Sequence, residues 1–315
     1  MPNRGLTGIL IIHKPSGWTS HDVVARVRNI VGQKKVGHAG TLDPLATGVL
    51  LVCLGQATRV AEYLMDHDKV YQARIRLGVA TDTYDAEGQV THRAEVVGIT
   101  RDQVERELGG MVGQIDQTPP MYSAIKHRGT PLYRLARRGQ EIARKPRKVD
   151  IKQLQILDWS LPDVEIGIHC SKGTYVRALA HDLGQRLGCG AYLVELIRIA
   201  SGRFSLADAV SLKELEAAFA QGQGIDLIKP MDAALDAFPS VMVDPETARR
   251  ITFGQRVTLP EQAEAQLCRA YAGDGQLVAL LRNLGDGIWR PHKVFVQATK
   301  HDQDHSRPAS STHRT

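Results

Sequence analysis

Aromatic residues are scarce in this chain, at 5% of its 315 positions, and cysteines are scarcer. The four cysteines, Cys53, Cys170, Cys189 and Cys268, lie far apart with no paired metal-ligand spacing. That excludes a zinc ribbon and a disulfide framework, and leaves free thiols in a reducing compartment. No apolar run approaches the ~20 residues needed to cross a bilayer, and the first residues lack the basic stretch, apolar core and cleavage site of a signal peptide. A cytoplasmic protein without membrane contact is expected. Cofactor signatures are missing too: there is no Gly-Lys dipeptide of a Walker loop, no Gly-x-Gly-x-x-Gly after a strand and no His-Glu-x-x-His. Chemistry without a cofactor or metal is expected.

What is present is positive charge. The formal net charge of +6 favours an acidic partner, and the cations are unevenly spread. From Lys126 to Lys148, nine of them (Lys126, Arg128, Arg134, Arg137, Arg138, Arg144, Lys145, Arg147, Lys148) face one acid, Glu141. Such a run is either a solvated helix face or a phosphate-binding surface. Tyr122 and Tyr133 among the cations favour the second, because aromatics and cations together suit exposed bases and their backbone.

Hydrophobic patterning predicts an interleaved α+β order. Gly8 to Ile12 reads as a strand and Ser20 to Val31 as a helix stopped by Gly32. A short helix is expected after Thr58, then an alternating strand through Tyr71, Ala73, Ile75 and Leu77. Thr100 and Gln103 form a capping box ahead of another helix. Strands follow around residues 149–156 and 164–168, then a helix over 174–187 and a strand over 191–200. Beyond Gly222-Gln223-Gly224 the pattern shifts to a small β-rich domain over 238–299, with strands at 268–272 and 277–281 around the turn Gly273-Asp274-Gly275. The tail over 300–315 is polar, without apolar period, and is expected to be disordered.

The segment His38-Ala39-Gly40-Thr41-Leu42-Asp43-Pro44-Leu45-Ala46-Thr47-Gly48 fixes a carboxylate just before a proline in a turn-rich loop. Pro44 holds Asp43 extended, the glycines permit sharp bends, and the apolar run from Val49 to Leu54 anchors one end as a buried strand. Local chemistry leaves two readings of Asp43, a turn-shaping residue or a catalytic carboxylate. Tyr71 is open in the same way between core aromatic and functional group. Arg177 falls in the first turn of a helix, where the dipole opposes a cation, so it is expected to serve a partner such as a carboxylate.

These residues closely resemble the TruB family of tRNA pseudouridine synthases, which isomerise uridine 55 of the T loop. The segment around Asp43 matches the family's catalytic motif. Lys14-Pro15-Ser16-Gly17-Trp18-Thr19-Ser20 resembles its N-terminal motif, and the stretch from Gly78 to Gly88, with Thr81-Asp82-Thr83 and Asp85, its next one. Pro119-Pro120-Met121-Tyr122-Ser123-Ala124 resembles the start of its RNA-gripping insertion, and Ser171-Lys172-Gly173-Thr174-Tyr175-Val176-Arg177 its arginine motif. One departure stands out: where many relatives carry paired arginines this chain reads Leu196-Ile197-Arg198-Ile199-Ala200-Ser201-Gly202-Arg203-Phe204, so a phosphate contact is expected to be lost or moved to Arg203.

The resemblance implies a catalytic domain over 1–235 with a mixed, mainly antiparallel sheet flanked by helices and loops, an RNA-binding insertion over 119–148, and a PUA-like domain over 238–299. It implies Asp43 as the essential carboxylate, paired with Arg177, and Tyr71 stacked on a flipped uracil and helping to remove its carbon 5 proton. It also implies a substrate-binding set of His38, Leu196, Lys14, Tyr122, Lys126, Arg137 and Arg138, with Lys14 supporting the loop more than touching RNA. The expected partner is tRNA, gripped at T loop and acceptor stem by a monomer without guide RNA. Two other readings are a guide-directed synthase, which the long basic insertion argues against, and a tRNA-folding chaperone.

Overall fold

The computed structural model describes residues 5–123, 125–259 and 264–296, in two compact units over 1–229 and 230–315. The expected tail at 300–315 lies outside the described residues.

The first unit begins with β1 (Gly8–Lys14), α1 (Ser20–Val31), β2 (Val36–Ala39), β3 (Thr47–Leu54), α2 (Ala61–Asp66) and β4 (Lys69–Leu77). A side hairpin, β5 (Val79–Thr81) and β6 (Val90–Arg93), precedes α3 (Arg101–Gly109) and β7 (Gly113–Gln117). The insertion holds β8 (Lys126–His127), β9 (Thr130–Pro131) and α4 (Leu132–Ala136). Then come β10 (Arg147–Ser160), β11 (Asp163–Cys170), α5 (Val176–Arg186), β12 (Ala191–Ser201), β13 (Phe204–Ser205) and α6 (Leu212–Ala220).

Nine strands form one sheet in the order β1-β3-β12-β4-β11-β10-β7, with β2 added on β3 and β13 on β12. Every pair is antiparallel except β12 with β3. The one parallel pairing matters most, because it sets Arg198 of β12 opposite Gly48. Strand β4 alternates strictly, burying Lys69, Tyr71, Ala73, Ile75 and Leu77 on one face, as a half-covered sheet requires. Helix α5 covers that face with Val176, Leu179, Ala180 and Leu183, spaced for a 3.6-residue period.

Helix α1 starts where the capping chemistry places it: Thr19 Oγ1 accepts from the Asp22 amide at 3.1 Å, and Asp22 Oδ2 accepts from the Thr19 amide at 2.9 Å. Gly32 ends it at φ 65°, a left-handed turn that suits glycine. Val36–Ala39 is a strand, not part of a long loop as its motif reads. It pairs with β3, so His38 lies opposite Val52 and the loop that carries Asp43 shortens to residues 40–46. A four-residue strand with a glycine inside carries too little apolar period to be visible in sequence.

The second unit contains β14 (Ser240–Met242), α7 (Pro245–Thr252), β15 (Val257–Thr258), β16 (Leu267–Tyr271), β17 (Leu277–Asn283) and β18 (Ile288–Val294). Its five-stranded sheet runs β14-β16-β17-β18-β15 around a core that includes Ile251, Leu281 and Trp289. Residues ahead of the first strand join this unit, since Tyr271 Oη donates to Asp232 Oδ2 at 2.7 Å and Arg269 Nε to the Phe238 carbonyl at 2.9 Å.

Candidate active site

Residues 40–46 link β2 to β3 and are clamped from several sides through backbone groups. Ser20, at the start of α1, accepts from the Leu42 amide at 2.9 Å and donates back to the Leu42 carbonyl at 3.2 Å. The Lys14 ammonium donates to the carbonyls of Pro15, Trp18 and Pro44 at 2.8, 2.6 and 3.1 Å, and Gly17 N–H donates to Pro44 O at 2.9 Å. Arg198 reaches from β12 to the Gly40 carbonyl at 2.9 Å and the Val49 carbonyl at 2.7 Å. Gly48 permits that approach: at φ 96°, a Cβ there would sit 2.3 Å from the Arg198 carbonyl oxygen. The loop is therefore pre-set before any substrate arrives, as a reacting group needs.

Asp43 projects from this loop toward α5. Its Oδ2 lies 2.8 Å from Arg177 Nε, with the carboxylate side chain one-third accessible and the arginine 5% exposed. The other guanidinium nitrogens are committed elsewhere: Nη1 to Asp85 Oδ2 at 3.2 Å and the Thr83 carbonyl at 3.4 Å, Nη2 to the Tyr122 carbonyl at 2.8 Å. Asp85 is itself buried and held by Thr83 Oγ1 at 2.5 Å and the Glu87 amide at 3.1 Å. Two carboxylates thus answer the misfit of a cation at a helix start. Burial pushes the Asp43 carboxyl up from its ordinary 3.8, Arg177 draws it down, and Asp85 pushes it up again.

A pocket of about 590 Å³ opens over this pair. Asp43, Tyr71, Arg177 and Leu196 line it together, with Lys69, Tyr175 and Arg198. Tyr71 stands directly across from Arg198 in the β4–β12 register. Burial pushes the Tyr71 hydroxyl up, while the Arg198 guanidinium beside it opposes that shift. At the mouth, Gln117 clamps Tyr175 through the Tyr175 amide at 2.7 Å and carbonyl at 3.1 Å. Among the described residues Asp43 is the single acid in the lining, against the cations Lys69, Arg147, Lys148, Lys172, Arg177 and Arg198.

The remaining expected residues fall elsewhere. Lys14 is fully buried under the loop with its ammonium committed to carbonyls, so it is a support and not a substrate-binding group; burial lowers its pKa to about 8. His38 packs edge-on against His21 at 5.3 Å, outside the lining, and burial lowers its pKa to about 4, which leaves the ring neutral at physiological pH. Tyr122 contributes its carbonyl to Arg177. Lys126, Arg137 and Arg138 are exposed on the insertion, with Arg137 5.8 Å from the Tyr133 ring centre. Sequence reading missed the roles of Asp85 and Arg198. Arg198 left a signal, a charge in phase with the buried Leu196 on one strand; Asp85 sits in a loop and left no periodic one.

The chain with this carboxylate–arginine pair is similar to the pseudouridine synthases, which are isomerases. Family models agree along the chain: that of the TruB family pseudouridylate synthase N-terminal domain matches residues 28–176, and that of the tRNA pseudouridylate synthase B C-terminal domain matches 177–236. The chain belongs to the TruB family. It is 45% identical over 292 residues to tRNA pseudouridine synthase B of Dehalococcoides mccartyi strain CBDB1, covering 93% of this chain and 97% of that one. It is 49% identical over 249 residues to the protein of that name from Syntrophotalea carbinolica, covering 79% and 81%. Among solved structures, an H/ACA RNP bound to a substrate RNA containing 2'-deoxyuridine matches with TM-score 0.70 and 25% identity, over 92% of this chain and 85% of that one. A Cbf5-Nop10-Gar1 complex matches with TM-score 0.71 and 26% identity over the same shares.

Proposed function

We propose that the protein converts uridine 55 in the T loop of tRNA to pseudouridine, with Asp43 as the essential group. The observation that carries this reading is the Asp43–Arg177 pair, 2.8 Å apart at the floor of the pocket. The reaction must break the bond from C1′ to N1, turn the uracil and rejoin it through C5, so the base has to leave its stack and enter a pocket. Asp43 either attacks C1′ or removes the C2′ proton. Arg177 keeps the carboxylate ionised and aimed once RNA excludes water. Tyr71 stacks on the uracil and helps remove the C5 proton, and Leu196 forms an apolar wall.

The exposed cations of the insertion, Lys126, Arg137 and Arg138, grip the phosphates of the folded loop, whose shape is read more than its sequence. The second unit serves as a PUA-like domain on the acceptor end. Relatives at 45% and 49% identity named for tRNA, against 25% for the guide-bearing assembly's enzyme, favour a standalone enzyme over a guide-directed one.

The test is tritium release from C5-labelled uridine in an unmodified tRNA transcript with purified protein alone, beside Asp43→Asn and a transcript bearing cytidine at position 55. Release by the natural protein on the natural transcript only is the expected result. Release by Asp43→Asn, or from the cytidine transcript, would overturn the assignment of residue or position.

A further inference from the structure

Arg198 and Lys69 are buried cations outside every ion pair among the described residues. Arg198 is 1% exposed and Lys69 6% exposed, and both line the pocket. They flank Tyr71, Lys69 two residues before it on the same face of β4 and Arg198 across from it on β12. Arg198 donates to the Gly40 and Val49 carbonyls and also reaches the Tyr71 hydroxyl, and Lys69 donates to the carbonyls of Met65 at 2.5 Å and of His67. Neutral carbonyls only partly offset the cost of burying a charge, so each cation keeps a field toward the pocket, which for Lys69 the more distant Asp66 and Asp68 reduce without pairing. Arg177 differs in kind, since Asp43 and Asp85 both answer it.

The pocket is thereby divided. On its carboxylate wall one cation meets two acids, and on its Tyr71 wall two cations stand without an ion pair. We propose that Arg198 and Lys69 stabilise the uracil anion released when the C1′–N1 bond breaks, which makes them leaving-group stabilisers for the reaction. This rests on the tRNA reading above. In either route open to Asp43, the C1′–N1 electron pair departs with the base, whose charge spreads over N1, O2 and O4. The pair later returns from C5 to form the C1′–C5 bond, the C5 proton is lost, and a proton is taken up at N1. Asp43 is the only acid in the lining among the described residues and is engaged at the ribose, so protonation of the leaving base is not its task. A fixed positive field aimed where charge develops does that work.

The experiment compares single-turnover loss of the N-linked nucleoside at position 55 in two transcripts, one with uridine and one with 5-fluorouridine, read by complete digestion and chromatography. Fluorine is close to isosteric with hydrogen and acidifies the ring, so the base leaves more readily and needs less help. Arg198→Met should lose on the order of 10²-fold on uridine and distinctly less on 5-fluorouridine, and Lys69→Met should follow the same trend. Lys14→Met, which loosens the loop away from the base, is the control and should lose equally on both. Equal losses for Arg198→Met would reduce it to a loop staple and overturn the proposal; if that variant does not fold, the Lys69→Met comparison decides alone. Natural protein that converts neither transcript would overturn the tRNA reading and this inference with it, whereas conversion with equal variant losses would overturn only the inference.

Discussion

Replacing Arg177 should move the acidic limb of the pH–rate profile upward, by an amount the geometry bounds. In the proposed reaction Asp43 acts ionised, and burial raises its pKa, so activity should be lost as pH falls through a value above the ordinary 3.8. At the observed 2.8 Å separation, one charge pair is worth about 1.5 kcal/mol at the dielectric of bulk water and about 6 kcal/mol at an effective value of 20. One-third exposure of the Asp43 side chain keeps the effect toward the lower figure, giving roughly 1–3 pH units. Arg177→Met alone would strand Asp85, buried beside it, at about 3–5 kcal/mol of stability. The double variant Arg177→Met/Asp85→Asn avoids that cost; Asp85 pushes the Asp43 carboxyl up, so its loss takes back part of the shift and the limb should still move upward, by less than for Arg177 alone. Arg177→Lys keeps the charge and loses the fork, so it should lower kcat with the limb little moved. Measured as kcat/KM against pH on tRNA transcript, an unmoved limb in the double variant would refute the claim that Arg177 sets the ionisation of Asp43.

Other consequences can be checked separately. Gly48→Ala places a Cβ 2.3 Å from the Arg198 carbonyl at φ 96° and should cost more than ~2 kcal/mol in urea unfolding; a loss under ~0.5 kcal/mol would mean β3 and β12 separate freely. Lys14→Met removes three bonds to carbonyls and should lower stability by about 2–3 kcal/mol, read as a fall in Tm, together with kcat. Neutralising Arg137, Arg138, Arg144 and Lys145 together should raise KM far more than it lowers kcat. It should also flatten the salt dependence of RNA binding by about 0.7–0.9 in slope for each phosphate that is no longer neutralised; an unchanged slope would remove the insertion from the interface.

The chain discloses some of this arrangement and conceals the rest for physical reasons. Asp43, Tyr71 and Arg177 were legible because each breaks a local rule or sits in a strong motif, and the strict alternation of β4 located Tyr71 on the inner face. Lys69 went unread, although the same alternation carried two residues back from Tyr71 puts a cation inward in a core strand. Arg198 was harder to read because β12 changes register between Leu193 and Glu195. Counting from Ala191 puts residue 198 outward, and only counting from Leu196 puts it inward. A bulge is set by packing against β4, which local sequence does not encode. Asp85 was harder still, because its partner lies 92 residues away and no strand or helix period leads to it.

The clamps on residues 40–46 explain why so much of the site escapes pattern reading. Ser20, Lys14 and Arg198 reach the loop through its carbonyls and amides, and so place no demand on which side chains the loop carries. Through side chains, Asp43 makes the ion pair, and Leu42 and Ala46 pack into the core. A loop held by its backbone keeps one carboxylate aimed with little demand on its exposed side chains, and the residues that do the holding stand on three separate elements, β1, α1 and β12. The cost is concentrated in those holders, two of which are buried cations committed to carbonyls instead of acids. Stability and aim therefore rise and fall together: loosening Lys14 should cost both, whereas neutralising Asp43 should remove the chemistry and leave the loop in place.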